Sequence, residues 1–202
     1  MPAAGNRLRN GDISDNLHRL ATWPRLPAPS DARNAPLFCL VLLTVSCGLA
    51  SFAFACATPF AAFAAFAGAT LPLSAALAVV GAAWIVNQAI GFGLLGYPVE
   101  LDTFLWGFAI GAAALIATAV STLAGRLPSI GRLVELGLAP LGAYVAYEVV
   151  LFAFTPVLGG AGAFTVAIIV RIGLLNLLWM IGLVAAYELL KVFALKHQKF
   201  AT

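Results

Sequence analysis

A stretch of 66 residues without Asp, Glu, Lys or Arg separates Arg33 from Glu100, and it restricts this chain more than any other feature. About 20 consecutive apolar residues suffice for a helix to cross a bilayer. The whole chain is 62% hydrophobic and 9% charged, with a mean hydropathy of +1.01, whereas soluble domains carry roughly 25% charged residues. The sequence therefore predicts an all-α, polytopic bundle of transmembrane helices embedded in the lipid bilayer.

Charge and polarity divide the chain into three parts. Residues 1–35 are rich in Arg, Asn, Asp and Pro, which is typical of a flexible basic tail. Residues 36–192 form the predicted bundle, and residues 193–202 form a second, short basic tail. The net charge of +3 comes from the tails and one loop, so the composition favours no nucleic-acid partner.

The number of crossings depends on the block 36–97, which could cross twice or three times. With three crossings, ten Lys and Arg residues share one side: five in the N-terminal tail, two in the 125–132 loop and three lysines from Lys191 onward. With two crossings, they divide five and five. Because short cytoplasmic loops collect Lys and Arg, six spans with both termini cytosolic are favoured, and five spans are the alternative. The expected location is the inner membrane of a bacterium.

The same block is short for three full spans, because three helices of about 20 residues leave roughly six residues for two turns. The best turn signals are "ATP" at 57–59 and "GATLP" at 68–72. They are too close together to bracket a helix of full length. We therefore expect one segment of the block to be short, or to enter the membrane as a broken helix packed against protein.

Polar side chains inside membrane spans are costly and often functional. Glu148 precedes the 155–162 turn by seven residues and Arg171 follows it by nine, so their depths match and a charge pair is the hypothesis. The candidate ligand-binding residues, which we expect to meet in the half of the bundle away from the tails, are Trp84, Asn87, Gln88, Glu148, Arg171 and Asn176. The alternative is that they only join helices, by interhelical hydrogen bonds and one buried ion pair.

Gln88 and Trp84 share a helical face with Gly91, which would leave space beside the carboxamide for a ligand. Adjacent residues on a helix point about 100° apart, so Asn87 is expected to face a neighbouring helix instead.

Small residues follow one face of the fourth predicted span, where they permit close approach of another helix. The stripe contains Gly107, Gly111, Ala114 and Thr118. It predicts packing within the bundle or docking of another membrane subunit, and both readings stay open.

Motifs for catalysis and cofactors are missing from the sequence. It contains no Walker lysine loop, GxSxG or HExxH, and its two histidines, His18 and His197, lie in the tails. The three cysteines, Cys39, Cys47 and Cys56, form no CxxC and are read as small apolar residues. We expect no enzymatic activity, no metal and no cofactor; the alternative is intramembrane catalysis that uses Glu148 or a tail residue.

Chain length, six short spans, cytosolic termini and the polar cluster resemble the substrate-binding component of energy-coupling-factor vitamin transporters. The resemblance covers residues 36–195 as architecture and matches no motif. It implies that a small molecule binds from outside while separate membrane and ATPase subunits supply the power. The predicted function is a small-molecule uptake or binding component; the alternative is a non-transporting accessory or assembly subunit of a larger membrane complex.

Overall fold

The computed structural model describes residues 35–54, 57–125 and 132–200, with the side chains of 132–136, 191 and 193–200 excepted. The predicted 1–35 tail, apart from Ala35, and most of the basic 125–132 loop lie outside these residues. All the regular structure described is helical. The helices are α1 (Ala35–Phe54), α2 (Phe60–Thr70), α3 (Leu73–Gly93), α4 (Leu101–Ala124), α5 (Arg132–Leu158) and α6 (Val166–Phe200), with a 3₁₀ turn at Ala161–Ala163 before α6.

Five of these helices are long and apolar enough to cross a membrane, whereas α2 has 11 residues. At 1.5 Å per residue, α2 is about 16 Å long, roughly half the thickness of a bilayer core. The chain is thus a multi-pass membrane protein. Among the described residues, the structure therefore has five long helices and one short one, α2, which lies between the two turn signals where one segment was expected to be short.

The short helix α2 reverses the direction of the chain. Cys47 donates to the Ala83 carbonyl at 3.1 Å, and the Asn87 amide donates to Ser51 at 2.9 Å. These contacts pair rising residue numbers in α1 with rising numbers in α3, so the two helices run parallel. The segment between them must therefore run the opposite way. Consistent with this, the sulfur of Cys39, near the start of α1, lies 3.9 Å from the hydroxyl of Thr70, the last residue of α2.

The first and last helices run antiparallel. Phe38 packs edge-on against Tyr187 with ring centroids 5.5 Å apart, and further along Trp179 donates to Ser46 at 2.7 Å. The described part of the chain therefore begins and approaches its end at the same end of the bundle, which we call the tail end. We call the opposite end, which carries the 3₁₀ turn, the far end. Helix α6 continues to Phe200, so it includes most of the predicted C-terminal tail.

Helix α2 is the centre of the bundle, and every residue from Phe60 to Ala67 is buried. It packs against α3, α4, α5 and α6. Its alanines and Gly68 leave little bulk on its surface, so neighbouring backbones come close. A Cβ added at Gly68 would lie 2.8 Å from the Ser121 hydroxyl and 3.0 Å from the Thr122 nitrogen. Small residues thus allow a short helix to be enclosed on all sides.

Prolines and glycines set the segment ends. Pro59 and Pro72 directly precede α2 and α3. Gly159 and Gly160 follow α5 with φ of +75° and +81°, a conformation that glycine adopts without steric cost. The α5–α6 connection can therefore turn sharply and bring residues of both helices to the far end of the bundle.

Candidate functional site

Asn87 joins three segments of the bundle. It is buried, and its Nδ2 donates to the Ser51 hydroxyl at 2.9 Å and to the Thr58 hydroxyl at 3.0 Å. Ser51 lies in α1, and Thr58 lies in the connection that leads into α2. The carboxamide thus joins α3 to the last turn of α1 and to the connection between α1 and α2. As predicted, Asn87 faces a neighbouring helix.

Gln88 does not line a vacant space. Its Nε2 donates to Asn87 Oδ1 at 3.1 Å, and its side chain occupies the position beside Gly107 on α4. A Cβ at Gly107 would lie 2.5 Å from Gln88 Oε1. The space predicted beside Gly91 is also filled, because the Tyr97 ring lies 2.5 Å from where its Cβ would be. The expected gap for a ligand is wrong: each glycine admits a side chain of this protein.

Trp84 is the second side chain of α3 that packs against α4. Its indole Nε1 donates to the Gly107 carbonyl at 2.9 Å, and the ring lies against Gly111. Together with Gly107 and Gly111, Ala114 and Thr118 are buried inside the chain. The small-residue stripe therefore serves packing within the bundle, and these four residues do not present a surface for another subunit.

Asn176 binds the start of the short central helix. Its Oδ1 accepts the N–H of Ala62 at 3.0 Å, while its Nδ2 donates to the Ile172 carbonyl of its own helix. The first N–H groups of a helix lack partners within that helix. Asn176 satisfies one of them from α6, and it joins two helices as Asn87 does.

The predicted charge pair is wrong. No ion pair within 4.0 Å joins Glu148 to Arg171, both of which are described. Arg171 is exposed on α6, whereas Glu148 is partly buried. The long arginine stem allows its guanidinium to reach towards the membrane surface. Matching depth was therefore not sufficient for pairing, since one side chain is partly buried and the other is exposed.

Glu148 instead faces a partly enclosed cavity of about 330 Å³. The cavity reaches from the 3₁₀ turn at the far end of the bundle to Glu148 on α5. The described residues that line it are Ala57, Thr58, Trp106, Ile110, Tyr147, Glu148, Leu151, Gly160, Ala163, Phe164 and Ile172. Among them Glu148 alone carries a formal charge.

Contacts around the cavity hold its aromatic walls in place. Trp106 lies against Gly160, where an added Cβ would be 3.3 Å from the indole. Phe164 packs edge-on against Phe152 with centroids 5.3 Å apart, and Tyr147 is buried. Such supports fix side-chain rotamers before any ligand arrives, which lowers the entropy lost on binding.

Of the six candidate residues, the structure places only Glu148 in this cavity, and four of the others make the helix contacts described above. Sequence reasoning missed Thr58, Trp106, Tyr147 and Phe164. The one signal in the sequence for these four residues was the position of Tyr147 directly before the candidate residue Glu148.

The described cysteines and acids form no metal centre. Cys39 and Cys47 are buried and not joined in a disulfide, and no group of three His, Cys, Asp or Glu side chains among the described residues could hold a metal ion. Cys56 lies outside those residues. The described side chains that line the cavity therefore supply one carboxylate, the hydroxyl-bearing residues Thr58 and Tyr147, and aromatic surface.

Comparisons with protein-family models, with curated proteins and with solved structures find no match for this chain.

Proposed function

We propose that this protein binds a small molecule in the Glu148 cavity and serves as a membrane component for its uptake. The observation that carries the proposal is the position of Glu148, a charged side chain within a membrane helix that faces a cavity and forms no ion pair with any residue that the structure describes. Placing a charge at the centre of a membrane helix costs about 2.5–3.5 kcal/mol on insertion scales. A ligand that interacts with this carboxylate accounts for its presence.

The dimensions of the cavity support the same function. Binding sites for small molecules are mostly apolar concavities of roughly 300–1,000 Å³ with a few polar groups that orient the ligand. This cavity, at about 330 Å³, belongs at the lower end of that range. Its lining combines aliphatic and aromatic side chains with one carboxylate, at Glu148, and the hydroxyl-bearing side chains of Thr58 and Tyr147.

The direction of uptake follows from the charges of the chain. The cavity lies at the far end of the bundle, and the arginine-rich tail precedes the tail end. With the basic segments in the cytosol, the cavity would open away from the cytosol. In the vitamin-transporter components that the architecture resembles, separate subunits power release inward, and we include such partners in the proposal.

Co-purification tests the binding function directly. The detergent-extracted protein would be analysed by native mass spectrometry for retained small molecules, beside Ile110→Trp, which fills the cavity. Ile85→Trp is the matched control, because Ile85 is 60% exposed on the outside of α3. We expect a bound molecule in the parent and the control, and its loss from Ile110→Trp.

The opposite result is equally informative. A parent protein that retains no small molecule but co-purifies with another membrane protein in stable proportion would favour the accessory-subunit alternative. All buried side-chain nitrogen and oxygen atoms in the described part of the chain already have hydrogen-bond partners. The same property is expected of an accessory subunit.

A further inference from the structure

We infer that the ligand of the Glu148 cavity is a small organic cation, an ammonium or related group on an apolar body. This inference rests on the proposed binding function and adds the chemical class of the ligand. Three observations carry it: the charge of the lining, the aromatic walls, and the hydrogen-bond partner of Tyr144, which lies one helical turn before Glu148.

The lining selects against anions. Glu148 is the one charged side chain among the described lining residues, and no basic side chain accompanies it. Arg171 neighbours Ile172, which lines the cavity, but Arg171 itself is exposed and pairs with no carboxylate among the described residues. A carboxylate or phosphate on the ligand would meet a like charge with nothing to offset it, whereas a cation would meet an opposite one.

Tyr144 does not neutralise Glu148. Tyr144 lies one helical turn before Glu148 on α5, but its hydroxyl donates to the Ile169 carbonyl at 2.5 Å. A tyrosine hydroxyl has a single proton to donate. Because that proton is directed to Ile169 on α6, the carboxylate remains an acceptor for a donor that enters the cavity.

The aromatic side chains supply the second half of the recognition. Trp106, Tyr147 and Phe164 contribute to the same lining as Glu148. Cations are attracted to the faces of aromatic rings, most strongly to that of tryptophan, when they approach within about 6 Å of the ring centroid. The remaining aliphatic lining suits an apolar body. A carboxylate with aromatic walls thus distinguishes an amine from an alcohol of the same shape.

Matched ligand sets test this inference. We would measure thermal stabilisation of the purified protein by amines, alcohols and carboxylates built on the same phenyl, indolyl and cyclohexyl bodies, each at millimolar concentration. At neutral pH we expect the protonated amines to raise the Tm while their alcohol and carboxylate counterparts do not. Titration of the best amine then gives its Kd.

Two glutamate variants assign the effect to the cavity. Glu148→Gln should weaken the amine by roughly ten-fold or more, the loss expected for a hydrogen bond to a charged group. Glu188→Gln is the control, because Glu188 also follows an Ala-Tyr pair but lies near the tail end on α6. It should leave the Kd unchanged. Trp106→Leu should weaken the amine more than any alcohol that binds.

The outcomes separate this inference from the function beneath it. If alcohols or carboxylates bind as tightly as amines, and Ile110→Trp abolishes that binding, the site stands and the cation inference is overturned. Amine binding that Glu148→Gln leaves unchanged also overturns it. If nothing in the panel binds and the parent retains no molecule on purification, or if binding survives Ile110→Trp, the proposed function itself fails.

Discussion

Asn176 on α6 accepts the backbone N–H of Ala62 at the start of α2, at 3.0 Å, across a sequence separation of 114 residues. Helix α6 thereby holds the first turn of the short helix α2 at the centre of the bundle. Since α2 is enclosed by its neighbours, water has little access to satisfy that N–H in place of Asn176.

Asn176→Leu should lower stability by about 1 kcal/mol, within the range of roughly 0.6–1.7 kcal/mol measured for hydrogen bonds between membrane helices. The loss is moderate because the same N–H also lies 3.1 Å from the Pro59 carbonyl. Thermal unfolding in detergent checks it, beside Leu177→Ala on the exposed face of α6. Equal losses in both variants would contradict a specific role for the carboxamide.

Asn87→Ala should destabilise the protein about twice as much as Gln88→Ala. Asn87 donates two hydrogen bonds to other segments, whereas Gln88 donates to its neighbour Asn87. Each bond between membrane helices contributes about 0.6 kcal/mol on average. Gln88→Ala should leave ligand retention unchanged, since Gln88 does not line the cavity. Loss of ligand from a stable Gln88→Ala protein would restore the pocket predicted from the sequence.

Gly111→Ala should cost about 1–3 kcal/mol, as overpacking does elsewhere. The added Cβ would lie 2.6 Å from the Trp84 indole, which also hydrogen-bonds Gly107 and cannot easily move. Gly182→Ala is the control, because nothing lies within 4 Å of its added Cβ. Chemical unfolding would compare the two.

A second-site change checks that interpretation. In a Trp84→Leu background, the cost of Gly111→Ala should fall, since the indole is absent. A cost that stays the same would mean that Gly111 matters for another reason, such as its backbone.

The tail end should face the cytosol and the far end should face outward. A cysteine at exposed Gly162 should react with a membrane-impermeant maleimide in intact cells, in a chain whose Cys56 is replaced by alanine. The native Cys39 and Cys47 are buried and should not react. A cysteine at Thr202 should react after permeabilisation. Labelling of Thr202→Cys in intact cells would reverse the proposed orientation and direct the cavity inward.

The sequence alone determined that this is a helical membrane protein, and it located most segment boundaries. Hydropathy and turn residues are local properties, so they can be read along the chain without knowledge of neighbours. The spacing of the turn signals at 57–59 and 68–72 even predicted a short segment where α2 lies. The small-residue stripe on α4 was similarly readable, because close helix packing requires little bulk wherever it occurs.

Only the tertiary structure decided which side chains meet. In a soluble protein, a polar outer face shows which side of a helix is buried. Here lipid is as apolar as the bundle interior, so the sequence carries little record of which face points inward. Glu148 and Arg171 match in depth by residue count, yet Glu148 is partly buried and Arg171 is exposed. The cavity is assembled from the α1–α2 connection, α4, α5, the 3₁₀ turn and α6. Depth follows from counting residues along a helix, whereas direction depends on how each helix is rotated against the others.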